Sequence, residues 1–437
     1  MMLSCFRKAK LGCLILCTVI LLGSTGCNLK NPPVFKAEEG VIEAEDCLLT
    51  SSVIQEANSY SGNKAVNGIN KEGASLDFAY ETDYAGFYDL SISYENNGEG
   101  GTLGLFINDH FFMKVNYPSG CGTITETIAL KNGIDTIRFS YLPGDGDITL
   151  DSFNLSPSNH SISMIVVPHE DDEVLGFAGT IQHLVAQGDT VKVVLLTNGD
   201  YFSGDLGMER IKESMNALAV LGVDSSDIIV MGYGDFTLYE LYNSSNPKEV
   251  INAPSGFSQT YGNPEYNLYD YHTLDTGSPA DYTKQNLTSD LYNIIGTIRP
   301  DAIYTTSEFE WHPDHQYAFM LVKDTIEKLN KDSGYHTLLC ESVIHGEDIE
   351  GWPEALEFDE KGNPILEGFT DPFPSGDVEL DWNEVTKVTL TEEEAAIKLK
   401  SIDEYYSQNF GVENIPGNQE FNYAFCKSDE FYWIFEY

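Results

Sequence analysis

Near residue 160 the hydrophobic period of the chain changes, and that change limits the fold more than any other feature of the sequence. Ahead of it, Tyr88, Leu90, Ile92 and Tyr94 alternate with Asp89, Ser91 and Ser93; Leu103, Leu105 and Ile107, then Ile137, Phe139 and Tyr141, repeat the two-residue period. A strand turns successive side chains to opposite faces, so each run predicts a strand with one buried face. The turn signals ENNGEGG, KNGID and PGDGD separate the runs. Short strands so spaced predict an antiparallel β-sandwich, jelly-roll-like, over residues 40–157.

Behind the change, SISMIVV, TVKVVLLTNG, DIIVMGY and DAIYTTS read as buried strands. Between them lie helical segments: VLGFAGTIQHLVAQG, with Val174, Ala178, Ile181 and Val185 on one face and Gly188 at a C-cap, then MERIKESMNALAVLG and TSDLYNIIGTIR. Strands alternating with helices predict an α/β Rossmann-like domain with a mainly parallel sheet over residues 160–437. At 437 residues the chain also exceeds what one core usually serves. No GxGxxG or Walker pattern accompanies the sheet, which removes support for dinucleotide binding. Residues 235–282 show no period and read as a long excursion.

The opening residues, MMLSCFRKAKLGCLILCTVILLGSTGC, carry Arg7, Lys8 and Lys10, then an apolar run from Leu11 to Leu22 and small residues up to Cys27. That layout is a secretory signal, too short for a secure membrane span. It resembles a bacterial lipoprotein signal, although Ser24 stands where leucine is usual; an ordinary cleaved signal is the alternative. The resemblance implies removal of residues 1–26, lipidation of Cys27, and an extracellular protein anchored to the bacterial cell membrane, with residues 27–39 as linker. The remaining chain is strongly acidic, since the whole sequence has 69 Asp and Glu against 24 Lys and Arg. Such a charge repels nucleic acid and suits neutral substrates such as carbohydrate, and bound cations. Cys47, Cys121, Cys340 and Cys426 form no CxxC pattern, so cysteine-based metal binding has no support, and pairing within each half stays open.

Chemistry concentrates at VVPHEDDEVLG, where His169 and the carboxylates of Glu170, Asp171, Asp172 and Glu173 fall between a strand and a helix. Open α/β folds place ligands at such junctions, and a bound cation offsets the mutual repulsion of the acids. An HxxD pair alone is commonly an acidic N-cap beside a solvated histidine. SEFEWHPDHQYAF changes the reading: His312 and His315 occupy a second strand-to-helix junction, with Pro313 opening the helix and Phe319, Val322 and Ile326 on its apolar face. Two junctions converging at one sheet edge supply three ligands and leave a fourth position open, as in catalytic zinc sites.

VVPHEDDEVLGFAGTI, VKVVLLTNGD, RIKESMNALAVLGV and EWHPDHQ, in that order, resemble the zinc-dependent N-acetylglucosamine deacetylases that include GlcNAc-phosphatidylinositol de-N-acetylase and LmbE-like proteins. Glu170 replaces the family's usual proline. The resemblance implies zinc on His169, Asp172 and His315 and a general base in Asp171. It further implies His312 as an imidazolium kept charged by Asp314, and Arg210 on substrate hydroxyls; a surface arginine paired with an acid is the alternative for Arg210. The front half resembles carbohydrate-binding modules of families 6 and 35 through VIEAEDC, SYSGNKAVNGIN, AGFYDLSISYEN and DITLDSFNLS. That likeness implies a structural calcium on Glu43, Glu45 and Asp151. It leaves the sugar-binding face unlocated, because Phe111, Phe112 and Tyr117 read as packing. His183, His272, His336 and His345 read as surface or packed histidines. The expectation is a zinc-dependent deacetylase of N-acetylated amino sugars, held on its glycan by the β-sandwich. The rivals are a non-catalytic sugar-binding lipoprotein and a metal-dependent amidase or esterase with another substrate.

Overall fold

The structure is a computed structural model that describes residues 31–437, apart from 37–39, 57–58, 99, 347–350, 363, 377 and 413–414. The signal segment 1–26, the lipidation candidate Cys27 and residues 28–30 lie outside the described residues. The chain divides into two compact units, residues 1–159 and 160–437.

The first unit contains two six-stranded sheets. In one, Gly133–Ser140 lies between Ser75–Thr82 and Gly101–Ile107; in the other, Gly86–Asn96 lies between Gly120–Leu130 and Thr149–Pro157. The predicted alternation is realised: Leu90 and Ile92 are buried, and Phe139 stacks on Phe153 at 5.1 Å. Among the described residues, pairing is antiparallel except at Val34–Lys36, which runs parallel to Ala79–Glu81. This strand falls in the expected linker. It forms because Ala79 N–H donates to Pro33 O at 2.8 Å and Phe35 packs edge-on against Phe78, so an apolar pair at the end of a polar spacer completes a sheet edge. Phe111, Phe112 and Tyr117 are all buried. The four cysteines of the described residues are free thiols.

The second unit is built on a seven-stranded mixed sheet. Ile228–Tyr233, Thr190–Thr197, Ile162–Val167, Ala302–Thr305 and Leu338–Glu341 run parallel, and Asp429–Glu436 is antiparallel to both Leu338–Glu341 and Thr386–Thr389. The strand order reverses at Ile162–Val167: the next two strands, Thr190–Thr197 and Ile228–Tyr233, extend the sheet on one side of it, and Ala302–Thr305 and Leu338–Glu341 extend it on the other. At such a reversal the connections leave in opposite directions and open a crevice at the carboxyl ends of the strands. The helices Asp172–Gln187 and Pro313–Ser333 begin there. Gly188 closes the first with φ 86°, and Phe319, Val322 and Ile326 are buried along the second. The excursion after Asp235 contains the short helices Leu238–Asn243 and Tyr271–Thr276. Buried Asp200 anchors it, accepting Asp235 N–H, Ser255 Oγ–H and Tyr261 O–H at 2.9, 2.7 and 3.0 Å. Among the described residues, no helix is long and apolar enough to cross a membrane.

Candidate metal centre

The fold resolves the crowding of acids at His169 by sending each carboxylate to a different partner. Glu170 is fully buried, 3.7 Å from Arg210 Nε, and neither of its oxygens has a hydrogen-bond partner. Asp172 points to the imidazoles. Glu173 accepts Ser214 Oγ–H at 2.5 Å, Tyr405 O–H and the amide of Asp171 at 2.9 Å, and so fixes the turn from inside. Asp171 faces the crevice from a backbone at φ 118°, a region that side-chain-bearing residues rarely occupy and that persists where the surroundings enforce it. Arg210 is buried rather than on the surface: it donates to Glu170 O at 2.5 Å and Gly199 O at 3.3 Å, and its Nη2 lies 3.3 Å from Asp171 Oδ1.

Three ring and carboxylate atoms meet across the two junctions. His169 Nδ1 lies 3.2 Å from His315 Nε2 and 3.3 Å from Asp172 Oδ2, and His315 Nε2 lies 3.4 Å from the same oxygen. A tetrahedral ion with bonds of about 2.0–2.1 Å needs its ligand atoms about 3.3–3.4 Å apart, so the triangle fits zinc without rearrangement. The opposite nitrogens are also held: His169 Nε2 lies 3.2 Å from Asp235 Oδ1 and 3.4 Å from Asp314 Oδ2, and His315 Nδ1 lies 2.9 Å from Glu310 Oε2. Carboxylates behind the ring orient an imidazole ligand and raise its basicity. Two other triads have ligand atoms within 4.8 Å, His169 with His312 and His315, and His169 with Asp235 and Asp314. In these, His312 Nδ1 accepts Asp314 N–H and Asp314 accepts the amides of Phe236 and Leu238, as Asp172 Oδ2 itself accepts the amide of His169 at 3.0 Å.

Charge follows the same geometry. Burial opposes ionisation of His169 and His315, yet Asp235 beside the first and Asp172 beside the second hold both rings above the usual histidine range. Burial would raise Asp172, but His315 and His169 hold it below the usual carboxylate range. The cluster therefore favours positive charge, which protons supply in the bare chain and a cation would supply in their place. Burial lifts Asp171 to about 7 against the pull of Arg210.

The expected partnership of Asp314 with His312 is not what the fold makes. The Asp314 carboxylate turns towards the loop at Phe236 and towards His169, while its amide donates to His312 Nδ1 at 3.2 Å as the helix cap. Burial and the neighbouring rings of His169, His315 and His345 push His312 well below the usual range. Because His312 Nδ1 accepts the Asp314 amide, the ring's N–H is on Nε2.

A cavity of about 220 Å³ opens over these groups, lined by Asp171, Arg210, Asp235, His312 and His345, and on its far wall by Gln408, Asn418, Phe421 and Asn422. Sequence reasoning missed Asp235, Glu310 and the far wall, and it placed His345 among surface or packed histidines. His345 is packed, stacking on Phe421 at 5.3 Å, and it also lines the cavity, with its amide donating to Glu310 Oε2 at 2.6 Å. Asp235 had a usable signal, since it directly follows a parallel strand at the ligand-binding edge.

In the first unit the three predicted calcium residues also converge. Ser61 donates from its amide to Asp151 Oδ1 and from its hydroxyl to Glu43 Oε1, both at 2.8 Å. Gly62 packs against Glu45 and Glu43 with φ 57°, where an added Cβ would come within 3.0 Å of Glu45 Oε1. Glu43 Oε2, Glu45 Oε2 and Asp151 Oδ2 are buried without hydrogen-bond partners. Three orphaned carboxylate oxygens under one turn suit a hard cation.

Residues 164–326 match the family model PIG-L: GlcNAc-PI de-N-acetylase. The chain carries a PIG-L domain. His169, Asp171, Asp172, Arg210, His312 and His315 all lie inside the matched PIG-L residues, whereas His345, Gln408, Asn418, Phe421 and Asn422 lie beyond them. Among solved structures, the cycloalternan-forming enzyme of Listeria monocytogenes is 22% identical over 26% of this chain and 11% of its own, with a TM-score of 0.25. A family 35 carbohydrate-binding module from Clostridium thermocellum is 18% identical over 27% of this chain and 97% of its own, with a TM-score of 0.26. The Paenibacillus barcinonensis CBM35 is 19% identical over 27% and 98%, with a TM-score of 0.25.

Proposed function

We propose that the protein is a zinc-dependent hydrolase that removes the acetyl group from N-acetylated amino sugars of the N-acetylglucosamine type. In this reading it is an exported lipoprotein whose first unit, a jelly-roll-like module, binds the glycan, and whose second unit is a Rossmann-like catalytic domain. The observation that carries the reading is the 3.2–3.4 Å triangle of His169, Asp172 and His315 beneath an open cavity that Asp171 also lines. Two imidazoles and a carboxylate are a donor set that zinc accepts, and a set with one open position is catalytic rather than structural.

When bound, zinc supplies Lewis acidity towards the acetamide carbonyl and a lower pKa for water. The chain supplies the rest. Asp171 takes a proton from water on a carboxylate oxygen and returns it to the sugar nitrogen as the carbon–nitrogen bond breaks, so acetate and a free amine leave. Arg210, held by Glu170 O and Gly199 O, keeps one Asp171 oxygen fixed. His312 offers its Nε2–H to the oxygen on which negative charge develops. The carboxamides of Gln408, Asn418 and Asn422 both donate and accept, as sugar hydroxyls require.

Release of acetate from N-acetylhexosamine oligomers, abolished by chelation and restored by zinc, is the expected result. Sugar binding without acetate release would instead favour the silent-lectin rival, and turnover confined to other amides or esters would favour the third reading.

The calcium proposal makes a separate prediction. Burial holds Asp151 up at about 6 and raises Glu43, so without a cation the folded module favours protonated carboxyls. A raised folded-state pKa contributes stability at low pH that is lost as pH rises through about 6. Calcium should restore that stability at pH 7, by about 2.7 kcal/mol at a hundred times its dissociation constant. Scanning calorimetry with and without calcium at pH 5 and pH 7 checks this; a calcium effect equal at both pH values contradicts it.

A further inference from the structure

Outside the cavity the rim carries large aromatic rings left open to solvent: Tyr201, Phe202, Phe236 and Trp311 are 43%, 59%, 44% and 56% exposed. They are contiguous. Phe236 lies edge-on to Tyr201 at 5.7 Å and to His312 at 5.1 Å, Tyr201 meets Phe202 at 5.1 Å, and Trp311 meets His312 at 5.5 Å. A connected apolar patch against water is unfavourable unless something covers it, and this one adjoins the reacting centre.

Phe236 adds an independent observation. Its backbone sits at φ 63°, a conformation that is a genuine outlier for a bulky side chain. The amide of Phe236 donates to Asp314 Oδ2 at 2.6 Å, and Asp314 also takes the amide of Leu238. This pair of hydrogen bonds holds the turn, and the turn sends the ring outwards over the rim. Strain maintained to expose an apolar ring beside a catalytic cavity points to a ligand that the ring contacts.

We propose that Phe236, Tyr201 and Trp311 are a platform for the sugar units adjoining the one whose acetamide enters the cavity, so that the enzyme selects oligosaccharide chains over free monosaccharides. This rests on the deacetylase reading above. The cavity opens directly to this rim, so sugar units that adjoin the one whose acetamide enters it lie against the rings. The flat face of a pyranose presents C–H groups that pack on an aromatic ring, whose π-face carries partial negative charge. A neutral chain also avoids repulsion from a protein of formal charge −45.

The test uses the full chain and N-acetylglucosamine oligomers of one to five units. Two variants remove a ring: Phe236→Asn, because asparagine tolerates the left-handed backbone, and Trp311→Ala. For each, kcat/KM from acetate release and affinity from calorimetry are compared across chain length. The expected result is a tetramer-to-monomer preference reduced about ten-fold in each variant. An equal loss at every length would overturn the proposal, since the rings would then act only by positioning His312. No change at any length would overturn it too. So would a loss confined to phosphatidylcholine vesicle binding, which would make the rim a lipid contact. If the wild-type chain releases no acetate, the deacetylase reading falls, and the length dependence of binding in the variants still decides whether the rim carries sugar.

Discussion

Asp171→Asn should lower kcat by about a hundred- to ten-thousand-fold, the range a positioned general base contributes, while zinc content stays at the wild-type level. The substitution keeps shape and hydrogen bonding: an asparagine carbonyl oxygen can still receive Arg210, which lies 3.3 Å from Asp171 Oδ1. Asparagine is isosteric with aspartate and meets the same strain at the φ of 118° that Asp171 adopts, so the substitution adds no new backbone demand on the turn beside Asp172. What is lost is the capacity to take up a proton. The pH profile gives a second readout. A base must be ionised to act, so kcat/KM rises with pH through its titration. Burial sets that titration at about 7 in the bare chain, and a divalent ion alongside moves it to lower pH. The acid limb should vanish from whatever activity Asp171→Asn retains. Near-normal turnover measured as acetate release, with metal confirmed by elemental analysis, would exclude Asp171 as the base.

Much of this site is legible from the chain because its parts stand at ends of periodic elements. His169 follows one buried apolar run and precedes a helix, His315 lies in the first turn of a helix that follows another such run, and a parallel sheet brings such junctions to one edge. The acids behind the rings are harder to find. Glu310 is one carboxylate among many in an acidic chain, and only folding aims it at His315 Nδ1 at 2.9 Å. Asp314 shows the limit of proximity along the sequence. It stands two residues from His312, yet the helix start turns its carboxylate to the Phe236 loop and to His169. The far wall is illegible for another reason. Gln408, Asn418, Phe421 and Asn422 come from the short helices Tyr406–Phe410 and Gln419–Ala424 and the turn before the second. Segments so short have no readable period, and their position depends on long-range packing alone. The first unit shows the opposite case, in which alternation at Leu90 and Ile92 predicts burial directly, while the partners of Glu43 and Asp151 appear only when the Ser61 turn folds over them.

Replacing Lys398 by Met should destabilise the second unit by about 3–5 kcal/mol, the usual cost of leaving a buried charge without its partner. Lys398 and Glu430 are 0% and 1% exposed, and Lys398 Nζ lies 2.8 Å from Glu430 Oε1. The pair acts on the helix Asp172–Gln187, which begins at one of the proposed metal ligands. Lys398 donates to Leu175 O at 2.8 Å, and Glu430 accepts the amides of Gly179 and Thr180 at 2.7 and 2.8 Å together with the Thr180 hydroxyl. Leu175 and Gly179 are the two ends of one helical i→i−4 step, so a strand and a helix from the C-terminal region grip that step from both sides. Gly179 has no Cβ there because one would lie 2.2 Å from Leu390 Cδ2, which permits this close approach. Met fills the volume of the lysine stem but leaves the carboxylate uncompensated. If charge is the cause, Lys398→Met with Glu430→Gln should recover part of the loss, because the amide is neutral and its one carbonyl oxygen still accepts the Thr180 amide and hydroxyl, while its NH2 group cannot accept the Gly179 amide. Denaturant unfolding followed by a signal from the second unit, read separately from the first, measures both variants. A single-variant cost below about 1 kcal/mol would mean that water reaches the pair and that the grip on the helix comes from apolar packing.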